Sequence, residues 1–126
     1  MNTEILNELK EEYKDKWIFH YQKWTRQNSI FIMKKNGEAM IHVSRLPGDD
    51  SIFLSDLYVT EDFRGDNLGN ELMDICEKIA HKIKVNEIEL DAYSNSWVIE
   101  WYKKLGFHIT SSGGTFVTMI KKINIE

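Results

Sequence analysis

Apolar and polar positions recur along this chain with two different periods, and each change of period marks a new element. Apolar residues at steps of three and four among Glu and Lys predict an amphipathic helix over residues 3–15. A longer helix is predicted from Leu68 to about residue 84 by one apolar stripe, which contains Leu68, Leu72, Ile75, Cys76, Ile79, Ala80 and Ile83. A third helix is predicted to end at Lys104, with Ser94 or Asn95 as its N-cap.

Runs of β-branched and aromatic residues between turn signals predict the strands. They cover residues 29–34, 38–45, 51–60, 88–92, 107–110 and 115–121. Between the first two stands Asn36-Gly37, a dipeptide that favours a type I′ hairpin because both central residues need positive φ. The run from Trp17 to Trp24 has no clean period, and it is read as a short second helix or an aromatic loop. Its rings would fill the core or hold a cationic amine.

Length and composition predict one globular domain over residues 1–126. The chain is 42% hydrophobic and 12% aromatic, as folded proteins are. A net charge of −4 argues against nucleic acid as the main partner, since phosphate binding draws on clustered Lys and Arg. No apolar run long enough for a membrane span exists, and one cysteine with a polar amino end gives no sign of export. We therefore expect a cytoplasmic protein.

Histidine and cysteine positions give no metal signature. His20, His42, His81 and His108 lie at no ligand spacing, so we expect no metal. Cys76 falls on the apolar stripe of the long helix, which indicates a small core residue, since nothing near it in sequence would lower its pKa.

The segment from Leu54 to Gly69 runs from a strand pattern through a glycine-bearing turn into the long helix. The first turn of a helix has N–H groups without intrahelical partners, and the helix dipole adds positive charge there, so this junction predicts an anion site. Gly65 and Gly69 would let ligand and backbone approach closely. A tight strand-to-helix turn with one packing glycine would produce the same pattern, and the spacing fits neither the dinucleotide nor the P-loop fingerprint.

A second segment, Asn95 to Phe107, extends the pattern. Together with the Arg64 turn, it resembles the GNAT acetyltransferase superfamily. Members carry Arg/Gln-x-x-Gly-x-Gly/Ala after the fourth strand and Asn-x-x-Ala-x-x-Leu-Tyr-x-Lys-x-Gly-Phe further on. Arg64 and Gly69 match the first motif, and the matches to the second are Asn95, Tyr102, Lys104, Gly106 and Phe107. The resemblance covers roughly residues 30–121 and rests on both motifs in this order and spacing.

The resemblance implies an α/β, GNAT-like three-layer fold. Its central sheet would be mixed and mostly antiparallel, with fourth and fifth strands that splay apart and create a cleft. The amino-terminal region is predicted to be short, since only about 28 residues precede the first hairpin where the family has a strand and two helices. A first strand is missing or unrecognisable.

The resemblance also implies an activity: transfer of an acetyl group from acetyl-coenzyme A to a primary amine of a small molecule, peptide or lysine, by direct attack on the thioester. Acetyl-coenzyme A would be a co-substrate, and a homodimer is one possible assembly. The cofactor-binding residues implied are Leu57, Tyr58, Val59, Arg64, Gly65, Asp66, Asn67, Leu68, Gly69, Asn95 and Tyr102.

Tyr102 matches the tyrosine that protonates the departing thiolate in many members of the family. The alternative is a tyrosine packed in the core, and Asn95 could be a simple N-cap. The base is not identified: Asp56 and Asp91 lie on strands expected to line the cleft, while Glu61 and Asp62 lie near its mouth. An amine that arrives deprotonated would need no dedicated base.

Four positions depart from the family motifs, and they keep other functions open. Asn67 replaces a usual glycine, Asp66 replaces a frequent basic residue, and Val98 and Trp101 replace Ala and Leu. Asn enters the left-handed region more readily than other residues with a side chain, whereas a carboxylate at Asp66 would repel a pyrophosphate. The alternatives are a non-catalytic acyl-coenzyme A binding module and, less favoured by the acidic balance, a toxin-like enzyme that acetylates aminoacyl-tRNA.

Overall fold

The computed structural model describes residues 3–24, 27–45, 48–60, 65 and 67–123, which form an α/β fold. Its elements are α1 (Thr3–Glu12), β1 (Trp17–Trp24), β2 (Gln27–Lys34), β3 (Ala39–Arg45), β4 (Ser51–Val59), α2 (Leu68–Ile83), β5 (Glu87–Tyr93), α3 (Val98–Lys104), β6 (His108–Ser111) and β7 (Phe116–Lys122). The strands form a sheet in the order β1-β2-β3-β4-β5-β7-β6, in which only β4 and β5 are parallel neighbours. The predicted α/β class and mostly antiparallel mixed sheet are confirmed.

The aromatic run near the amino end is a strand, so the predictions of a helix or loop there, and of a missing first strand, are wrong. β1 pairs with β2 along its whole length, with Phe19 opposite Ile32. Trp17 and Phe19 are buried, yet Ile18 between them is 43% exposed. Because apolar residues occupy both faces of β1, the period-two pattern was hidden. Among the described residues, one helix, α1, precedes β1.

The connection between β2 and β3 contains Asn36 and Gly37 but is not a type I′ turn. Of the two, only Gly37 has positive φ, at 78°. Its N–H donates to the Lys34 carbonyl, so the turn is centred on Lys35 and Asn36, and the glycine follows it. The hairpin was predicted correctly and its turn type was wrong.

The three helices of the described residues lie together on one face of the sheet. α2 contacts α1 through an ion pair between Lys78 and Glu12 at 2.6 Å, and it contacts α3 where the Trp101 ring packs at Gly69. The opposite face, here called the helix-free face, carries in one row across β1 to β4 the residues His20, Phe31, His42 and Ser55. The described residues thus form two layers, because none of them supplies the second amino-terminal helix that the resemblance implies.

The core lies between the helices and the sheet and follows the predicted helix stripe. Leu72, Ile75, Cys76 and Ile79 of α2 are each at most 2% exposed and belong to one cluster with the inward side chains of the strands. Cys76 is a core residue as predicted, and burial raises the pKa of its thiol.

The parallel strands β4 and β5 separate halfway along, as predicted. Their pairing runs from Ser51 opposite Glu87 to Leu54 opposite Leu90 and stops there among the described residues. β4 also contains a bulge, since Tyr58 faces Met40 while Ser55 faces His42. This leaves Asp56 and Leu57 opposite a single residue of β3. The splay and the bulge together open a gap in the middle of the sheet.

The start of α3 differs from the prediction. The helix begins at Val98, and neither Ser94 nor Asn95 caps it. The nearest cap-like contact is the Val98 N–H, which donates to Ser96 Oγ at 3.3 Å. Ser94 Oγ instead donates to the Gly114 carbonyl and so ties the end of β5 to the last hairpin.

Candidate active site

A cavity of about 470 Å³ lies where the separated end of β4 meets the first turns of α2 and α3, a volume typical of ligand sites. Its lining residues are Leu57, Tyr58, Val59, Gly65, Asn67, Leu68, Gly69, Asn70, Trp97, Val98 and Trp101. Seven of these, from Leu57 to Gly69, are cofactor residues that the resemblance implied. Strand end, turn and helix start therefore meet at one place, as the sequence predicted for an anion site.

The strand side of the cavity offers main-chain groups. Thr60 N–H donates to the Glu38 carbonyl at 2.8 Å, on the side toward β3. Because N–H groups of a strand alternate in direction, that of Leu57 points the other way, toward the gap between β4 and β5. The side chains of Leu57 and Val59 pack partly against the core, so the backbone is held in place while its outer edge faces the cavity. An extended ligand could pair with this edge as an added strand.

The helix side of the cavity offers the N-terminus of α2. The first described intrahelical bond runs from the Glu71 N–H to the Asn67 carbonyl at 3.1 Å, so the N–H groups of Leu68, Gly69 and Asn70 precede the helical ladder. Asn67 makes no side-chain cap. These three N–H groups have no acceptor within the helix, and they lie with the positive end of a 16-residue helix at the cavity, which suits a phosphate group.

The turn before α2 has the left-handed backbone that the sequence suggested. Gly65 has φ of 98° and Asn67 has φ of 67°. The prediction that an asparagine tolerates this conformation is confirmed. Arg64 and Asp66, together with Glu61 and Asp62 at the expected mouth, lie outside the described residues.

Gly69 has a second reason to be glycine. A Cβ placed on it would lie 3.2 Å from Cζ2 and 3.3 Å from Cη2 of Trp101, which is closer than ordinary van der Waals contact. The ring of Trp101 therefore packs directly on the backbone of α2's first turn and forms one wall of the cavity. Sequence reasoning missed Asn70, Trp97, Val98 and Trp101 as lining residues. The available signal was the pair of departures from the motif at Val98 and Trp101.

Tyr102 is placed beside the cavity rather than in its lining. Its ring is 7% exposed and packs at 5.6 Å from Phe107 and 5.1 Å from Trp101, centroid to centroid. Burial, and secondly the nearby Cys76, raises the pKa of the Tyr102 phenol to about 12. The phenol therefore keeps its proton at neutral pH and is available there as a proton donor.

The remaining predicted residues are spread around the gap. Asp56 is exposed at the bulge with φ of 56°, in the left-handed region. Asp91 is exposed on β5 and accepts a hydrogen bond from Thr118 Oγ1 at 2.8 Å. Asn95 is exposed in the turn after β5. None of these three lines the cavity, although Asp56 and Asp91 belong to the two strands that bound the gap.

No group of three or more His, Cys, Asp and Glu side chains in the described ranges is arranged to hold a metal ion. No described helix has the length and apolar content to cross a membrane.

We expect Asn67→Gly to stabilise the fold by up to about 1 kcal/mol and to tighten coenzyme A binding slightly, because glycine adopts φ of 67° without a Cβ cost. Urea unfolding and calorimetric titration measure the two effects. Lys84→Gly is the matched control: Lys84 is also left-handed, with φ of 60°, but caps the far end of α2. It should raise stability alone, and an equal change of affinity in both variants would contradict the placement of the ligand at Asn67.

The comparisons with known proteins agree with this geometry. A sequence profile described as the acetyltransferase (GNAT) family matches residues 1–107. An uncharacterized N-acetyltransferase of Methanocaldococcus jannaschii is 27% identical over 121 residues, and the match covers 87% of this chain and 54% of that protein. The chain thus spans about half the length of this curated relative.

Solved structures show the same fold at low sequence identity. The PaiA N-acetyltransferase from Thermoplasma acidophilum, solved in complex with coenzyme A, gives a TM-score of 0.66 at 20% identity, covering 95% of this chain and 70% of that one. The ribosomal-protein-S18-alanine N-acetyltransferase from Escherichia coli gives 0.65 at 17% identity, covering 100% and 92%. At these identities the likeness concerns the fold.

Proposed function

Because the chain belongs to the GNAT acetyltransferase family, we propose that it transfers an acetyl group from acetyl-coenzyme A to a primary amine of a small molecule, an exposed peptide or a lysine. One observation carries this proposal: the cavity between the separated strands β4 and β5 is bounded by the uncapped N-terminus of α2. A thioester arm and a pyrophosphate need these two surfaces side by side.

In this proposal the main chain binds most of the co-substrate. The turn from Arg64 to Gly69 holds the pyrophosphate through N–H groups and the helix dipole. Its members on the cavity wall are Gly65, Asn67, Leu68 and Gly69. The residues of β4 from Leu57 to Val59 pair with the pantetheine arm, and one of their N–H groups stabilises the oxyanion of the tetrahedral intermediate. Asn95 approaches the arm from the turn after β5.

The chemical step proposed is direct attack of the amine on the thioester carbon, without a covalent enzyme intermediate. The nitrogen–carbon bond forms, the carbon–sulfur bond breaks, and Tyr102 gives a proton to the departing thiolate. Among carboxylates, Asp56 and Asp91 are the candidates for taking the amine proton. What supports the role of Tyr102 is its ring contact with Trp101, since the two centroids lie 5.1 Å apart and Trp101 lines the cavity.

One observation favours a second candidate, a non-catalytic acyl-coenzyme A binding module. Tyr102 packs mainly into the core and does not line the cavity. Such a module would bind acetyl-coenzyme A and turn over no amine. Release of free thiol from acetyl-coenzyme A, followed across a panel of small amines, lysine and short peptides, separates the two functions.

We expect acetyl-coenzyme A at 100 times its Kd to add about 2.7 kcal/mol of stability and to raise the melting temperature by roughly 10 °C. Free coenzyme A should act almost equally, since most proposed contacts go to pyrophosphate and pantetheine. Thermal unfolding with each ligand, and with adenosine as a control that lacks both groups, measures this. Absence of calorimetric binding at millimolar concentration of either coenzyme would reject both the enzyme and the binding module.

A further inference from the structure

His42 lies on the helix-free face, directly across from the end of the β4–β5 pairing. Its neighbours Ile41 and Val43 are buried toward the helices, so the imidazole projects to the opposite side. There Nδ1 lies 3.1 Å from Ser55 Oγ. The ring also stacks on Phe31, with centroids 4.3 Å apart and planes 20° apart, which fixes its orientation.

The surroundings of this imidazole are unusual for a surface histidine. Nε2 is excluded from solvent and has no hydrogen-bond partner in the part of the chain that the structure describes, and a buried polar atom without a partner requires an explanation. The ring is thus held by one polar contact, at Ser55, and by one aromatic contact, at Phe31. An imidazole held in this way is oriented to exchange a proton at Nδ1, which faces Ser55.

Ser55 lies at the edge of the gap between β4 and β5, where proton transfer to His42 would be useful. It is the first residue of β4 beyond the last β4–β5 pair, Leu54 opposite Leu90. Next to it is the bulge residue Asp56. Ser55 therefore borders the gap from the helix-free face, while the cavity borders the same gap from the helix side. A group in the gap is reachable from both faces of the sheet.

We propose that the hydrogen-bonded pair of Ser55 and His42 accepts the proton of the attacking amine, which enters the gap from the helix-free face. This inference rests on the proposed acetyl transfer. The Ser55 hydroxyl donates its proton to His42 Nδ1 and takes one from the amine nitrogen. The nitrogen loses two protons in all when it arrives as an ammonium group: one is held on His42 Nδ1 and returns through Ser55 to solvent once the amide has left, and the other replaces the proton that Tyr102 gives to the coenzyme thiolate. The net products are the amide, free coenzyme A and one released proton.

The charges around His42 suit this role. Burial lowers the pKa of His42 from its ordinary value, while the Asp56 carboxylate acts in the opposite direction. The ring is therefore neutral at pH 7 and can accept a proton, and Asp56 would stabilise the cation that forms. Among described residues, the side chains that face His42 are Phe31 from β2 and Ser55 and Asp56 from β4. The next titratable group in the row is His20 on β1.

The rival base on the other strand is less suitable. Asp91 is exposed, and one of its oxygens already accepts a hydrogen bond from Thr118. One oxygen of Asp91 is thus engaged within the sheet, whereas Nδ1 of His42 faces the Ser55 hydroxyl that borders the gap.

The test uses His42→Gln, which keeps a polar side chain but cannot take up a proton. With the amine acetylated fastest in the panel, rates are expressed per unit of unprotonated amine, so that the amine's own titration is removed. In the unaltered chain kcat/KM should fall on acidification below about pH 6.5 as His42 becomes charged. His42→Gln should lower kcat/KM at least ~10-fold at pH 7 and abolish this acid limb, with coenzyme A affinity within a few-fold.

Controls separate the possible failures. His108→Gln makes the same change at an exposed position on β6 and should leave rate and profile unaltered. If thermal unfolding shows that His42→Gln is not folded, Ser55→Ala takes its place in the test, because it removes the hydrogen bond between Ser55 and His42 without changing the imidazole. An active unaltered chain whose acid limb survives in the folded variants would overturn this inference alone. An unaltered chain that acetylates no amine would overturn the proposed enzyme, and this inference with it.

Discussion

Replacing Tyr102 by Phe should lower kcat for acetyl transfer by about 10²-fold or more and leave the Kd for coenzyme A within a few-fold. The substitution removes only the phenol oxygen. The ring keeps its contacts with Phe107 and Trp101, at 5.6 Å and 5.1 Å between centroids. The cavity should therefore keep its shape, and the loss falls on protonation of the departing thiolate.

The pH dependence adds a second criterion. Since the pKa of Tyr102 is raised to about 12, the phenol stays protonated throughout the measurable neutral and mildly basic range. The proposed donor should therefore cause no fall in kcat up to about pH 10. A basic limb near pH 9 that disappears in Tyr102→Phe would contradict this assignment of the pKa.

Tyr93→Phe is the matched control for this variant. Tyr93 is 62% exposed and stacks on Phe116 at the end of β5, so the same oxygen is removed outside the cavity. Its kcat should match that of the unaltered chain. If Tyr102→Phe also keeps its kcat when single-turnover kinetics show chemistry to be rate-limiting, Tyr102 has only a packing role.

Gly69→Val should weaken coenzyme A binding on the order of 100-fold, equivalent to about 2.7 kcal/mol. Even one added carbon would stand 3.2 Å from the Trp101 ring, and valine adds two methyl groups beyond it. Either the ring moves into the cavity or the first turn of α2 is displaced, and both disturb the surface proposed to hold the pyrophosphate. Overpacking should also lower the free energy of unfolding by about 1–3 kcal/mol.

Gly114→Val provides the comparison. A Cβ on Gly114 meets no atom within 4 Å, and its φ is not in the left-handed region. Calorimetry on both variants should show lost affinity for Gly69→Val alone. Full affinity in a folded Gly69→Val would place the ligand elsewhere and would leave the turn as a simple connection between strand and helix.

Elements with one clean period could be predicted from the sequence. The stripe of α2 from Leu68 to Ala80 alternates with solvated charges at helical spacing, and the structure buries it as expected. Periodicity did not identify β1, because Ile18 on its exposed side is as apolar as its buried neighbours. A strand that is apolar on both faces has no period to detect.

The candidate site could be predicted only as far as local sequence determines it. The turn and the helix start are local, so Gly65, Asn67 and Gly69 were found. The bulge at Asp56 is a relation between β3 and β4, and in the sequence this aspartate is an ordinary polar position. Likewise the contact of Gly69 with Trp101 and the pairing of His42 with Ser55 join residues from different elements. Such contacts follow from sheet register, which no single segment specifies.

The order of strands in the sheet has a consequence for biosynthesis. β7, described last in the chain, lies between β5 and β6, and it pairs with β5 at seven positions, whereas β4 pairs with β5 at four. While the chain emerges from the ribosome, one edge of β5 therefore stays unpaired until residues 116–122 are available to pair with it. The β5 side of the gap is completed only when β7 pairs with β5. Because this pairing is late and long-range, we expect it to be the slow step of folding. A nascent chain stalled before β7 should be protected from proteolysis in β1 to β4 and not in β5.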